Sequence, residues 1–195
     1  MIYEYVDPKE LKIDMRELSA RLGTPTGILP KDETAVVDAV LSAVKPAYVA
    51  VRAKISRQNG RISIENIHTD SRALFEVCRD SDECILLVAT LGVGVDRLIL
   101  RTASISAYDA FVADAVADAL IEALCDHAEE GLTAGLSTKG RFSPGYADLE
   151  LSFGKEIVRL TDAERVLGIK ESDSGLMIPK KSVNAIIAIR KNENE

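Results

Sequence analysis

The sequence predicts an α+β fold in which a mostly antiparallel, twisted sheet carries helices packed on one side. Residues 47–57 alternate apolar and polar side chains, which is typical of a half-buried strand, and Asn59 and Gly60 then provide a hairpin turn. The apolar run from Ile85 to Ala89 predicts a fully buried strand. A long helical region over about 94–130 carries a wide apolar stripe and predicts a central helix.

The N-terminal part of the chain predicts a small helical appendage ahead of the main domain. Asp14 is placed to cap a helix that ends at Gly23, and the two prolines and the glycine of Thr24–Pro30 predict a loop. We therefore expect an N-terminal helical appendage at 1–30 and the α+β domain at 31–195.

The remaining elements follow from changes in hydrophobic period and from turn residues. In chain order they are a helix from about Asp32 to Lys45, a strand through Ile62 and Ile64, a short helix from Ser71 to Arg79, an interruption of the long helical region near Ser104–Ser106, its end at Gly131, an irregular stretch from Thr133 to Gly145, a short helix from Thr161 to Leu167, and a final strand at about Val183–Ile189 before a polar tail.

Composition argues against two kinds of partner. The chain has 195 residues and a net charge of −7, and it lacks the clustered Lys and Arg with interleaved aromatic residues that nucleic-acid binding requires. No apolar run approaches the roughly eighteen residues of a membrane span, and the N-terminus lacks the pattern of a signal peptide. We expect a cytoplasmic protein that binds neither nucleic acid nor membrane.

The cysteines and histidines predict neither a disulfide framework nor a metal site. Cys78, Cys84 and Cys125 are odd in number and show no C-x-x-C spacing, which favours buried, reduced thiols. His68 and His127 are too few and too far apart in the sequence for a metal site or for a Ser-His-Asp or Cys-His arrangement. No catalytic side chain is predicted.

The most informative segment runs from Arg141 to Tyr146. Pro144 followed by Gly145 predicts a type II turn, in which the glycine supplies a positive φ and lets a ligand approach the backbone. Arg141, just before this turn, is suited to hold a carboxylate through two parallel N–H bonds. On spacing alone, the alternative is a surface turn with a solvated arginine.

Four blocks of sequence follow one another over roughly residues 85–189. They are Thr90–Asp96, Ala117–Ala123, the Arg-x-x-x-Gly-Tyr segment from Arg141 with Asp162–Arg165 after it, and the stretch from Ile169 through Glu171, Met177 and Pro179 to Ser182 and Val183. Together they resemble the T-x-G-x-x-V-D run, the A-D-x-x-x-E-A helix, the R-x-x-x-G-Y turn and the L-x-E, M-x-P and S-V segments of the activation domain of cobalamin-dependent methionine synthase.

The resemblance implies a methionine synthase activation domain-like module that binds S-adenosylmethionine. It further implies a stand-alone activation subunit for methionine biosynthesis, docked on a methionine synthase or another corrinoid protein that carries the cobalamin. In that family a reductase or flavodoxin supplies an electron to the oxidised corrinoid, and S-adenosylmethionine then methylates it. The sulfonium is already an activated electrophile, so the protein's task is placement. Whether the chain itself counts as an enzyme of this methyltransferase system stays open.

The resemblance also implies a set of cofactor-binding residues. Arg141 would grip the methionine carboxylate, Gly145 and Tyr146 would place backbone and ring against the cofactor, and Glu122 would lie near its positively charged end. The alternative for Glu122 is a helix residue at the edge of the apolar stripe, paired with a nearby base. The full set is Glu122, Arg141, Ser143, Pro144, Gly145 and Tyr146.

Departures from the family pattern support an alternative function. The family carries another carboxylate six residues before the arginine, where this chain has Gly135; Glu129 and Glu130 are available to replace it, but the spacing selects neither. The family's N-terminal Asp-Trp-aromatic motif and its C-terminal tyrosine pair have no counterpart. The chain is therefore alternatively a non-catalytic docking module for a corrinoid protein that has lost cofactor binding, or a domain for an unrelated small ligand.

Overall fold

The computed structural model describes residues 1–24, 34–58, 60–172 and 175–190. Within these ranges, seven strands form one sheet in the order β4-β3-β2-β5-β9-β6, with β1 paired to the first part of β2, and two further strands, β7 and β8, form a separate pair. All of these pairings are antiparallel. The strands are β1 (Ile2–Tyr5), β2 (Ala47–Gln58), β3 (Arg61–Ile64), β4 (Ile67–Thr69), β5 (Glu83–Thr90), β6 (Thr138–Phe142), β7 (Lys170–Glu171), β8 (Met177–Ile178) and β9 (Ser182–Ile189).

The helices of the described ranges complete the α+β class, which is confirmed. They are α1 (Met15–Leu22), α2 (Thr34–Ala43), α3 (Arg72–Val77), α4 (Val93–Ala103), α5 (Ala107–Leu132), α6 (Phe153–Leu160) and α7 (Ala163–Leu167), with a 3-10 turn at Pro8–Glu10. The predicted interruption of the long helical region is confirmed, because α4 ends at Ala103 and the Ser106 hydroxyl caps α5 by accepting from the Asp109 N–H at 3.2 Å. None of these helices is long and apolar enough to cross a membrane.

Helices cover both faces of the sheet, whereas the sequence led us to expect them on one side. Ile85 and Leu87 of β5 belong to the core beneath α1, α2, α4 and α5. Leu86 and Val88, which alternate with them, belong to a second core beneath α3, α6 and α7. Successive side chains of a strand point to opposite faces, so a strand that is apolar throughout requires cover on both.

Residues 1–24 contribute to this sheet and to its core. β1 pairs with β2, and Val6, Leu11 and Leu18 are buried in the core beneath α5. Asp14 caps α1, as predicted, by accepting from the Arg16 N–H at 2.8 Å. The proposed boundary at residue 30 lies outside the described residues and stays a prediction, as does the loop assigned to Thr24–Pro30 beyond its first residue.

Several elements differ from the sequence prediction: strands β1, β4, β7 and β8 were not predicted, and two longer elements also differ. The stretch from Thr133 to Gly145, expected to be irregular, contains the edge strand β6, whose half-buried residues pair with β9 and whose register shifts between Thr138 and Arg141. Helix α6 was not predicted, although its apolar residues recur at helical spacing on one face. The central helix also continues through Gly131 to Leu132. The predicted free, buried state of the three cysteines is confirmed.

The loop that follows β6 is tied to α3 by Asp148. One carboxylate oxygen accepts hydrogen bonds from the Ser71 hydroxyl at 2.6 Å and the Ala73 N–H at 3.1 Å, and the other accepts from the Arg72 N–H at 2.8 Å. These hydrogen bonds, that of Ser71 first, hold the pKa of Asp148 below its ordinary range. The start of α3 therefore anchors the segment that carries the predicted turn.

Helices α2 and α4 approach each other closely at Gly94, in the first turn of α4. A Cβ at Gly94 would fall against the carbonyl oxygen of Ala43, well inside van der Waals contact. We expect Gly94→Ala to lower the free energy of unfolding by about 2 kcal/mol, because the backbone of α2 must move away. The matched control is Gly131→Ala, where the new methyl group meets nothing within 4 Å; it should raise stability by up to about 1 kcal/mol. Urea unfolding measures both changes, and similar values for the two variants would contradict the close approach.

The Asp148 anchor gives the protein a defined acid dependence. Because the folded-state pKa lies below the unfolded one, the contribution of Asp148 is complete above about pH 4 and is lost as the pH falls through the lowered value. We expect Asp148→Asn to be less stable than the wild type at pH 7 and to lose less stability on acidification. Thermal unfolding between pH 7 and pH 2.5 tests this, with Glu150→Gln in the same loop as the control. An acid profile of Asp148→Asn identical to the wild type would refute the anchoring role.

Candidate functional site

Arg141 lies at the centre of an ion cluster between the edge of the sheet and helix α5. It pairs with Ile187 of β9, a residue of the α5-side core, so its own side chain points toward that helix. Its Nη1 lies 2.8 Å from Asp126 Oδ1 and 2.8 Å from Glu129 Oε2, and its Nη2 lies 3.4 Å from Glu122 Oε2. The three acids follow at i, i+4 and i+7, so they share one face of α5.

The cluster is half-buried at its base and anionic at its surface. The side chain of Arg141 is 20% exposed and that of Glu129 22%, whereas Glu122 is 47% and Asp126 71% exposed. Burial opposes the charge of Arg141, but the hydrogen bond that it donates to Asp126 and the neighbouring carboxylates raise its pKa above the ordinary value. Three carboxylates face one guanidinium, so negative charge is left in excess at the exposed end. That end attracts a cation.

The predicted turn is present directly after β6. Gly145 has φ +84°, and the Tyr146 N–H donates to the Ser143 carbonyl at 3.2 Å, as a type II turn requires. Pro144 is buried and Ser143 is half-buried. The Gly145 N–H donates to the Leu149 carbonyl at 2.8 Å, which fixes the turn from behind. The turn is therefore held by two backbone hydrogen bonds, and the Leu151 side chain lies beside its glycine.

Tyr146 stands at the outer side of this turn. Its side chain is one of the exposed large hydrophobic groups, at 70% exposure, and its ring meets Phe142 edge-on with centroids 6.0 Å apart. Phe142 packs against the core beneath α6. The structure thus brings Arg141 and Glu122 into one cluster and sets the Tyr146 ring beside the other face of the edge strand.

Sequence reasoning missed Asp126 as a partner of Arg141 and did not select Glu129. Both lie 2.8 Å from the guanidinium, and Glu129 also accepts a hydrogen bond from it. The signal that was available is the helical spacing of Glu122, Asp126 and Glu129, which marks one acidic edge of α5. Such an edge indicates where cations from other elements will lie.

The chemistry that this arrangement supports is binding and placement. A guanidinium provides paired donors for a carboxylate, and the surplus acids provide acceptors for a cation. In the described part of the chain no group of three or more His, Cys, Asp or Glu residues is arranged to hold a metal ion. Burial raises the pKa of Cys125, which lies on α5 near the cluster, to about 12, so this thiol is not a nucleophile at neutral pH.

Comparison with known proteins identifies the fold. No family model and no curated protein matches this sequence. Among solved structures, the chain is similar to the MetH reactivation domain bound to AdoHcy, with a TM-score of 0.74 and 17% sequence identity over 100% of this chain and 79% of that chain. This chain therefore has the fold of the MetH reactivation domain, the fold that its sequence motifs indicate.

Proposed function

We propose that this protein binds S-adenosylmethionine and acts as a stand-alone activation subunit for a cobalamin-dependent methionine synthase, supporting reductive remethylation of the corrinoid that its partner carries. The observation that carries the proposal is the pairing of Arg141 with Glu122 beside the Gly145 turn. The amino-acid end of S-adenosylmethionine carries one group of each charge, and this pair offers one partner for each. A solved structure with the same fold holds AdoHcy, the product left when that cofactor gives up its methyl group.

The amino-acid end of the cofactor fits the cluster by exchange of ion pairs. Its carboxylate would take the place of an α5 carboxylate on Arg141, and Asp126, with 71% exposure, is the acid that returns to water at least cost. Its ammonium would meet Glu122, which is half exposed. A carboxylate that enters alone would add to the excess of negative charge, so the ammonium and sulfonium make the exchange favourable.

The remaining residues of the set shape the approach of the cofactor. Gly145 would present its backbone beside Leu151, and the exposed ring of Tyr146 would contact the flat part of a ligand that passes around the edge strand β6. When bound, S-adenosylmethionine supplies an activated methyl group, which needs no general acid. The contribution of the chain is orientation, since Arg141 fixes one end of the cofactor and the rigid turn limits its rotation.

One observation favours the alternative, a docking module without cofactor. The guanidinium of Arg141 is already paired with three acids of helix α5, and such pairing is also what a purely structural ion cluster provides. The second function predicts association with a cobalamin-loaded partner and no binding of S-adenosylmethionine.

Calorimetric titration with S-adenosylmethionine tests the proposal directly. We expect saturable binding by the wild type and about 10- to 100-fold weaker binding by Arg141→Ala, because a charge-assisted pair to the carboxylate is lost. Arg141→Lys should fall between them, since lysine keeps the charge but not the fork of donors. Arg79→Ala, which removes an exposed pair with Glu76, is the control and should bind normally.

Two results would count against the proposal in different ways. Equal affinity of the wild type and Arg141→Ala, both shown by thermal unfolding to be folded, would remove Arg141 from the site. Absence of binding by the wild type, together with retained association with a cobalamin-loaded methionine synthase, would establish the docking module instead.

The exchange of ion pairs predicts opposite effects of two neighbouring acids. Asp126 competes with the ligand for Arg141, so we expect Asp126→Asn to bind S-adenosylmethionine a few-fold more tightly than the wild type. Glu122 receives the ammonium, so Glu122→Gln should bind about tenfold more weakly. The same titration measures both variants. A loss of affinity of equal size in both would mean that the acids act only through their total charge.

A further inference from the structure

A buried carboxylate without a hydrogen-bond partner lies on the opposite side of the sheet from Arg141. Glu171, at the end of β7, has both carboxylate oxygens buried, and neither has a hydrogen-bond partner among the described residues. Such a group is costly, since a buried charge is normally paired or hydrogen-bonded. Burial raises the pKa of Glu171, and the charge of Lys155 opposes this rise. Burying the Glu171 carboxylate therefore costs folding free energy, and no hydrogen bond from the described residues offsets that cost.

The backbone is shaped to admit this carboxylate. A Cβ at Gly154, in the first turn of α6, would lie 2.9 Å from Glu171 Oε2 and 2.6 Å from Asn184 Nδ2, so only glycine leaves room for both groups. The Asn184 amide is itself poorly used, because its contact is the sulfur of Met177 at 3.6 Å, a weak acceptor. Two polar groups with spare hydrogen-bonding capacity thus meet at one point against α6.

An open cleft leads to this point. It has a volume of about 280 Å³ and is lined by Lys155, Val158, Arg159, Asp162, Glu164 and Glu171. The charges at its rim are paired with neighbours outside the lining: Arg159 with Glu156 at 2.8 Å, Asp162 with Arg165 at 2.5 Å, and Glu164 with Lys170 at 3.8 Å. Glu171 is the member of the lining whose acceptor oxygens are unused.

We propose that this cleft is a binding site for a small organic ammonium ion, with Glu171 as its counter-ion. An ammonium group carries up to three N–H donors, which matches a carboxylate with two unused oxygens. The volume admits a primary amine with a short carbon chain, whose apolar part would lie against Val158. Lys155, whose charge already acts on Glu171, is the internal competitor for the ligand.

This site is independent of the proposed cofactor site. Asn184 lies on β9 between residues whose side chains face the α5-side core, so it points toward the α6 side, whereas Arg141 points toward α5. A ligand at Glu171 therefore requires neither Arg141 nor a corrinoid partner, and either site can fail without the other.

Titration of the whole protein with propylammonium chloride tests the site, with sodium chloride and sodium propionate as matched arms at the same ionic strength. We expect a saturable rise in Tm and saturable calorimetric binding with propylammonium alone. Glu171→Gln keeps the shape and removes the buried charge, so it should fold at least as well and bind about tenfold more weakly. Lys155→Met should bind a few-fold more tightly because it removes the competitor.

The control variant is Glu164→Gln, which changes a carboxylate at the exposed rim of the same cleft, where the side chain is 68% exposed. It should bind propylammonium like the wild type. Absence of a saturable response in the wild type would overturn the proposal and leave Glu171 as a carboxylate satisfied by water alone. Equal affinity of the wild type and Glu171→Gln would overturn it as well.

Discussion

The structure depends on a row of ion pairs along one edge of the central helix α5. Cations from three other elements meet this edge: Lys181 Nζ lies 2.7 Å from Asp114 and 2.6 Å from Asp118, Arg21 Nη1 lies 3.2 Å from Asp118, and Arg141 holds the acids nearer the C-terminus. Lys181 is only 12% exposed, so its pairs are poorly screened. These directional pairs add to the hydrophobic packing of α5 and tie it to α1, to β6 and to the residue just before β9.

This arrangement determines where a ligand site can exist. β6 is the edge strand, so the turn after it stays open to solvent while its arginine is held beneath α5. The Leu151 side chain lies close to both Gly145 and Gly175, so it packs between the turn and the segment that precedes β8. A turn that its own backbone hydrogen bonds already hold needs little reorganisation when it binds a ligand, which lowers the entropy lost on binding.

Sequence reasoning recovered the elements whose signals are local. The alternation of β2, the apolar run of β5 and the break before α5 each depend on neighbours along the chain, and each is present. β6 was missed because an edge strand with Gly140 at positive φ owes its form to pairing with a distant strand. The proximity of Arg141 and Glu122 follows from tertiary packing, and only a family resemblance suggested it before the structure. The apolar character of β5 did contain the evidence for helices on both faces.

Both proposed sites have more acceptors than donors, but the carboxylates around Arg141 are already paired with it, whereas Glu171 has no hydrogen-bond partner among the described residues, and this difference determines what each site can select. Around Arg141 acceptors outnumber donors, so a ligand carboxylate can bind the guanidinium only by displacing an acid of α5. The same ligand must also bring a cation that pairs with the remaining acids. A plain carboxylate cannot meet this condition, whereas a molecule with opposite charges a few bonds apart can. The carboxylate oxygens of Glu171 accept no hydrogen bond from the described residues, so an ammonium ion of suitable size adds contacts without displacing an acid. The ion cluster around Arg141 therefore selects a zwitterionic group. The acids paired with the arginine disfavour a simple anion, and the same acids form ion pairs with the cationic part of a zwitterion.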